Sequence, residues 1–144
     1  MTRLPEMLST PAGRVRAVLL FLVSLDVILS VWALAFPGLW FAVFHGTELA
    51  DPQGLLPRTG ASWAAFALIQ AAAIIRWEKS PGWLLAVAGL RLGDCFTDWT
   101  YLAVAPDLTW FAYPALGMAS PANLAAGIFL ILAFRKHSAP STFP

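Results

Sequence analysis

Four long apolar runs divide the chain, and each contains only a few polar residues. Between them lie shorter stretches rich in proline, glycine or charge. A run of about 20 mostly apolar residues has the length of a helix that crosses a bilayer core. The pattern predicts four helices, at about 14–36, 57–77, 82–105 and 121–136. The first stops at the breaker pair Pro37-Gly38. The second opens at Pro57, a residue suited to a helix's first turn. The short stretch Glu78 to Gly82 makes the second and third helices antiparallel neighbours. The third ends near Ala105-Pro106. Residues 1–13 read as a short polar arm and residues 137–144 as a disordered tail.

The third run, Leu84 to Val104, breaks the apolar rule most openly, because it carries Arg91, Asp94 and Asp98. These fall at i, i+3 and i+7 and therefore share one helix face. A charge in mid-membrane is costly, so such residues turn toward the protein interior and find partners there. The remaining helices are expected to surround that face.

Two longer connections remain. Residues 37–57 hold an apolar, aromatic segment, Gly38 to His45, that is too short to span. It either lies flat at the interface or tucks back as a re-entrant piece. Residues 106–120 carry Trp110, Phe111 and Tyr113, the composition of an interfacial aromatic belt. Arg14 and Arg16 precede the first run as they would in a signal peptide. The run from Ala17 to Phe36 is too long for that, so it reads as a retained helix. Basic residues lie at Arg3, Arg14, Arg16, Arg76, Lys79, Arg135 and Lys136. The two long connections have none until Arg58 at the edge of the second helix. By the positive-inside rule, four spans with both termini cytoplasmic satisfy this distribution.

Composition agrees with the pattern. Of 144 residues, 59% are hydrophobic and 12% charged, and mean hydropathy is +0.71. A soluble domain is nearer half apolar and a quarter charged. The chain is expected to be an all-α, polytopic membrane protein of one domain, a four-transmembrane-helix bundle. A net charge of +1 gives no basis for a nucleic-acid partner. The single cysteine, Cys95, excludes an internal disulfide and a multi-cysteine metal site. Beside Asp94 it reads more simply as a small buried filler than as a redox thiol. No phosphate loop, nucleophile elbow, HExxH or CxxC is present, so no catalytic residue and no metal site is assigned.

Counting at about 1.5 Å per residue puts Asp26, Arg91 and Asp94 at similar depth. Asp98 lies further out, and Arg58 opens the second helix at the outer surface. The expected pairs are Asp26 or Asp94 with Arg91, and Asp98 with Arg58. The plain reading of Asp26, Arg58, Arg91, Asp94 and Asp98 is an ion network that fixes helix register. The sharper one is a ligand or proton site, because three acids face two arginines and one carboxylate is left over. Trp63, Trp99 and Tyr101 are candidates to line an apolar cleft beside it, and Trp77 is a weaker one. His45 is a candidate haem or pigment ligand, against the plainer reading of a polar side chain in an interfacial loop. His45, Glu48 and Asp51 do not have the spacing of a known metal pattern.

Several short motifs then fall into one order. Pro57-Arg58-x-Gly60 opens the second helix, Arg76-Trp77-Glu78-Lys79 forms the basic turn, Arg91-Leu92-Gly93-Asp94 lies in the third, and Arg135-Lys136 closes the fourth. Over about residues 55–136 this resembles small, uncharacterised bacterial four-helix membrane proteins of a loosely DoxX-like kind. Asn123 stands where that pattern carries an acid. The resemblance implies either quinone-coupled redox chemistry or partnership with other membrane proteins. Small size, aromatic surface and the missing catalytic set favour a non-catalytic accessory subunit of a larger respiratory or photosynthetic complex. The alternative is a DoxX-like redox or transport protein holding quinone or another lipophilic molecule at the Arg/Asp face. Quinone, lipid and pigment are the cofactor classes left open. Membrane lipids and other subunits, or a second copy of the chain, are the expected partners.

Overall fold

The computed structural model describes residues 8–47, 50–105 and 107–138, and these residues fold into helices joined by short connections. Helix α1 spans Pro11–Ala35. Thr10 caps it, with Oγ1 accepting from the Gly13 amide at 3.0 Å, and Pro11 occupies the first turn where its missing N–H costs nothing. The helix stops at Phe36 because Pro37 disfavours helical geometry in the residue before it. Helix α2 is the nine-residue Pro37–His45, closed by Gly46 at φ 71°, a left-handed conformation that suits glycine. The apolar segment between the first two predicted spans is therefore a helix in its own right.

Helix α3 is Leu55–Arg76, and Asp51 caps it by accepting from the Leu55 and Leu56 amides at 2.9 and 3.0 Å. That capping is what Asp51 does in the structure, while Glu48 lies outside the described residues. Helix α4 is Gly82–Val104 and α5 is Ala112–Ser138. The start of α5 corrects the expected boundary at Pro121, which sits inside the helix. Thr109 nucleates the earlier start: its Oγ1 accepts from the Ala112 amide at 3.1 Å and donates to the Val43 carbonyl at 2.7 Å, and its own amide donates to Phe44 at 2.9 Å. Much of the second long connection, residues 106–120, thus becomes helix. His137 and Ser138 of the expected tail also belong to α5, while residues 139–144 and the first seven of the arm lie outside the described residues.

Packing divides the long helices into two intimate pairs, α1 with α3 and α4 with α5, while α3 and α4 meet less extensively across their turn. A glycine permits each close approach. A Cβ at Gly60 of α3 would stand 3.0 Å from the Ala33 Cβ of α1. One at Gly127 of α5 would stand 3.1 Å from Leu92 of α4. Two apolar clusters fill the bundle. One holds Val15, Leu19, Leu22, Trp77, Leu84, Val87 and Leu130 at the end where the α3–α4 turn lies. The other holds Ala33, Trp40, Phe44, Leu56 and Ala112 at the end closed by α2.

The buried residues of α1 recur at spacings of three and four: Val15, Leu19, Leu22, Asp26, Ser30 and Ala33. The middle of that stripe is polar, and it marks the layer between the clusters. At the first end Arg16 contacts Glu78 and the Trp77 ring meets His137 at 5.1 Å. The start of α1, the turn and the end of α5 therefore lie together, and with them Arg14, Arg16, Arg76, Lys79, Arg135 and Lys136. Among the described residues, three helices, α1, α3 and α5, are long and apolar enough to cross a membrane. Their outward faces are apolar, with Phe21, Leu68 and Ile128 exposed.

Candidate functional site

The polar layer draws one residue or more from every long helix. Arg91 of α4 is its centre, and it is buried to 1% exposure, as is Asp26 of α1. The guanidinium meets the carboxylate as a fork: Nη2 donates to Oδ2 at 2.5 Å and Nη1 to Oδ1 at 3.2 Å. Gln70 of α3 donates from Nε2 to the same Asp26 Oδ2 at 2.6 Å. Arg91 Nη1 also lies 3.3 Å from Asp94 Oδ2, one turn along its own helix, and donates to Asn123 Oδ1 of α5 at 3.4 Å. Phe66 of α3 lies 5.9 Å from the guanidinium carbon and covers it. The α1–α3 and α4–α5 pairs are thus joined through one side chain.

Asp98 takes a different partner from the one its depth suggested. It accepts from Asn123 Nδ2 at 3.3 Å, whereas Arg58 is exposed and makes no ion pair among the described residues. Depth counting fixes how far along a helix a residue lies but not the side it faces, and Arg58 lies on an exposed side of α3. The layer consequently holds three carboxylates against one arginine, leaving two in surplus rather than one. Asn123 bridges by donating to Asp98 with one amide atom and accepting from Arg91 with the other. Cys95 lies buried in the same layer and points its thiol at the carbonyls of Arg91 and Ser120, at 3.4 and 3.3 Å.

Satisfaction within the layer is uneven. Gln70 Oε1, Arg91 Nε and Ser120 Oγ are buried without a partner among the described residues. A buried polar atom left without a partner costs roughly 1–3 kcal/mol. These three atoms are where the layer has capacity to bind something more.

The aromatic candidates separate. Trp63 packs on Trp40 at 5.4 Å, within the α2-end cluster. Trp99 is 52% exposed on the outside of α4. Tyr101 meets His45, whose Nε2 lies 2.5 Å from the phenol oxygen. His45 is buried, packs beside Phe41, and fastens the end of α2 to α4. A shallow groove of about 350 Å³ opens along α4 beside Tyr101, lined by Phe96, Thr97, Thr100 and Val104. Among the described residues, no group of three or more histidines, cysteines or acids is placed to hold a metal ion.

Gln70, Asn123, Ser30 and Ser120 are the members of the layer that the sequence reading did not assign to it. A signal was available. Ser30 is one turn from Asp26, and Ser120 and Asn123 continue to Gly127 and Leu130 on one face of α5. No family model, curated protein or solved structure matches the chain.

Proposed function

We propose that the chain is a four-span protein of a bacterial inner membrane, with both termini cytoplasmic. In this reading it acts as a non-catalytic accessory subunit of a larger membrane complex, of respiratory or photosynthetic type. Helix α4 joins α1, α3 and α5 as a span, the third in chain order, its charges turned inward. The basic residues gathered at the α3–α4 turn support the orientation, since they share one end of the bundle.

The observation that carries the functional reading is the closure of Arg91 on Asp26 at 1% exposure each. The one buried guanidinium is engaged by Asp26, Asp94 and Asn123, and Gln70 bonds the same Asp26 carboxylate, so the work of the Arg91–Asp26 pair is to hold four helices in register. The outward surface is left to make the contacts. At the α2 end it presents Trp99, Trp110, Phe111 and Tyr113, all exposed. Aromatic side chains of this kind serve membrane interfaces and protein contacts alike.

Gentle extraction from native membranes, a native gel and mass spectrometry of the band test this reading. The expected result is a band far above 15.6 kDa that contains the same partner chains in fixed proportion. A band of this chain alone, as monomer or homo-oligomer, would overturn it.

One observation favours a second reading. Gln70 Oε1, Arg91 Nε and Ser120 Oγ offer buried hydrogen-bonding capacity inside the layer. A quinone or other lipophilic carbonyl compound would use that capacity, in keeping with the DoxX-like resemblance. Solvent extraction of the purified chain tests it: bound quinone, lost on Arg91→Lys with the helices intact, supports this reading over the first.

A further inference from the structure

The turn that joins α3 to α4 holds an open cleft of about 540 Å³, lined by Ile75, Arg76, Lys79, Ser80 and Trp83. Its charges are unbalanced. Glu78, the acid of the same turn, is engaged by Arg16 of α1 at 3.1 Å. Arg76 and Lys79 have no carboxylate partner among the described residues. The Arg76 guanidinium is held over the Trp83 ring, 5.8 Å from its centroid, so it is positioned beside the cleft. The turn itself is pinned. The Lys79 and Ser80 amides donate to the Arg76 carbonyl at 3.1 and 2.9 Å, and Trp77 between them is fully buried against His137.

We propose that this cleft binds the phosphate headgroup of an anionic glycerophospholipid. A phosphodiester matches an arginine fork and a neighbouring ammonium, which together neutralise it with directed hydrogen bonds. Ser80 adds a hydroxyl at the rim. The choice of a lipid over a free phosphate rests on what adjoins the cations. Ile75, one residue before Arg76, is 79% exposed, and Trp83 forms an apolar wall. An acyl chain would lie along that surface while the headgroup met the charges. Basic pockets at the cytoplasmic ends of membrane helices recognise anionic headgroups by the same means. The inference rests on the membrane reading above.

The test uses the full chain in mild detergent, titrated with phosphatidylglycerol and with phosphatidylcholine of the same acyl chains, and read by native mass spectrometry. Wild type is expected to retain phosphatidylglycerol preferentially. The variant Arg76→Gln/Lys79→Gln should bind it more weakly by on the order of tenfold. Arg76→Lys/Lys79→Arg, which keeps both charges, should retain binding, as should Arg135→Gln/Lys136→Gln at the same end of the bundle. Circular dichroism confirms that each variant is helical, and the single exposed change Lys79→Gln, expected to lose part of the affinity, serves if the double variant is not. Equal retention of both lipids, or loss in the 135/136 variant equal to that in the 76/79 variant, overturns the proposal. So does displacement of the lipid by an equal concentration of inorganic phosphate, which would assign the cleft to the free anion. Alkaline carbonate washing of membranes keeps the two readings apart. Release of the chain by carbonate refutes the membrane assignment, whatever the lipid titration shows.

Discussion

Asp26 and Asp98 are both carboxylates on apolar helices, yet they stand in different surroundings. Asp26 is sealed in the layer's centre, with both oxygens on the Arg91 fork and a further bond from Gln70. Asp98 lies toward the α2 end, half-buried, with one amide donor at 3.3 Å. The contrast extends to their neighbourhoods. The centre joins α1, α3, α4 and α5 through one guanidinium. The α2 end is held by smaller contacts, His45 with Tyr101 and Thr109 with α2. The same residue type therefore serves as a keystone in one place and as a peripheral polar group in the other, and the difference is the number of helices that each one joins.

The largest effect is expected from breaking the centre on one side only. Arg91→Ala leaves Asp26 buried without its cation and should cost about 3–5 kcal/mol. Asp26→Ala should cost a similar amount, and equilibrium unfolding in mixed micelles measures both. Next come the glycines that set the two helix pairs. Gly60→Ala forces a methyl to 3.0 Å from the Ala33 Cβ, on a backbone that is already close, and should cost about 1–3 kcal/mol. Gly127→Ala should cost less, since its nearest neighbour is the movable end of Leu92. Thermal unfolding of the two variants side by side reads that order.

At the α2 end the effects should shrink. Tyr101→Phe removes the His45 bond and should cost about 1 kcal/mol, with faster amide exchange over α2 while the bundle centre stays protected. Arg58→Ala should change stability by less than about 0.5 kcal/mol, as an exposed side chain with no ion pair. A loss comparable to that of Arg91→Ala would mean that Arg58 reaches Asp98 after all, and the centre would no longer be distinct from the rim.

How much of this was legible in the sequence follows the same division. The long helices were visible because apolar runs of spanning length leave few alternatives. The meeting of Asp26, Arg91 and Asp94 was visible because helical rise converts residue number into depth. Azimuth was not visible: Arg58 faces outward while Asn123, on a helix that contributes no acid, turns inward to meet Asp98. The early start of α5 was hidden because it depends on Thr109 docking against α2, a contact between residues far apart in the chain. The pairing of His45 with Tyr101 is hidden for the same reason, although the sequence marks each residue separately as a candidate.

The most direct test of the account is the double variant Asp26→Leu/Arg91→Leu, compared with each single change by equilibrium unfolding and by native-gel migration from membranes. A buried pair that only holds helices in register can be replaced as a unit by apolar side chains at little or no cost. The account predicts that the double variant recovers most of the stability lost by either single variant and still migrates with the same partners. A double variant that is stable but has lost those partners, or a bound quinone, would contradict it and make the polar layer a binding site.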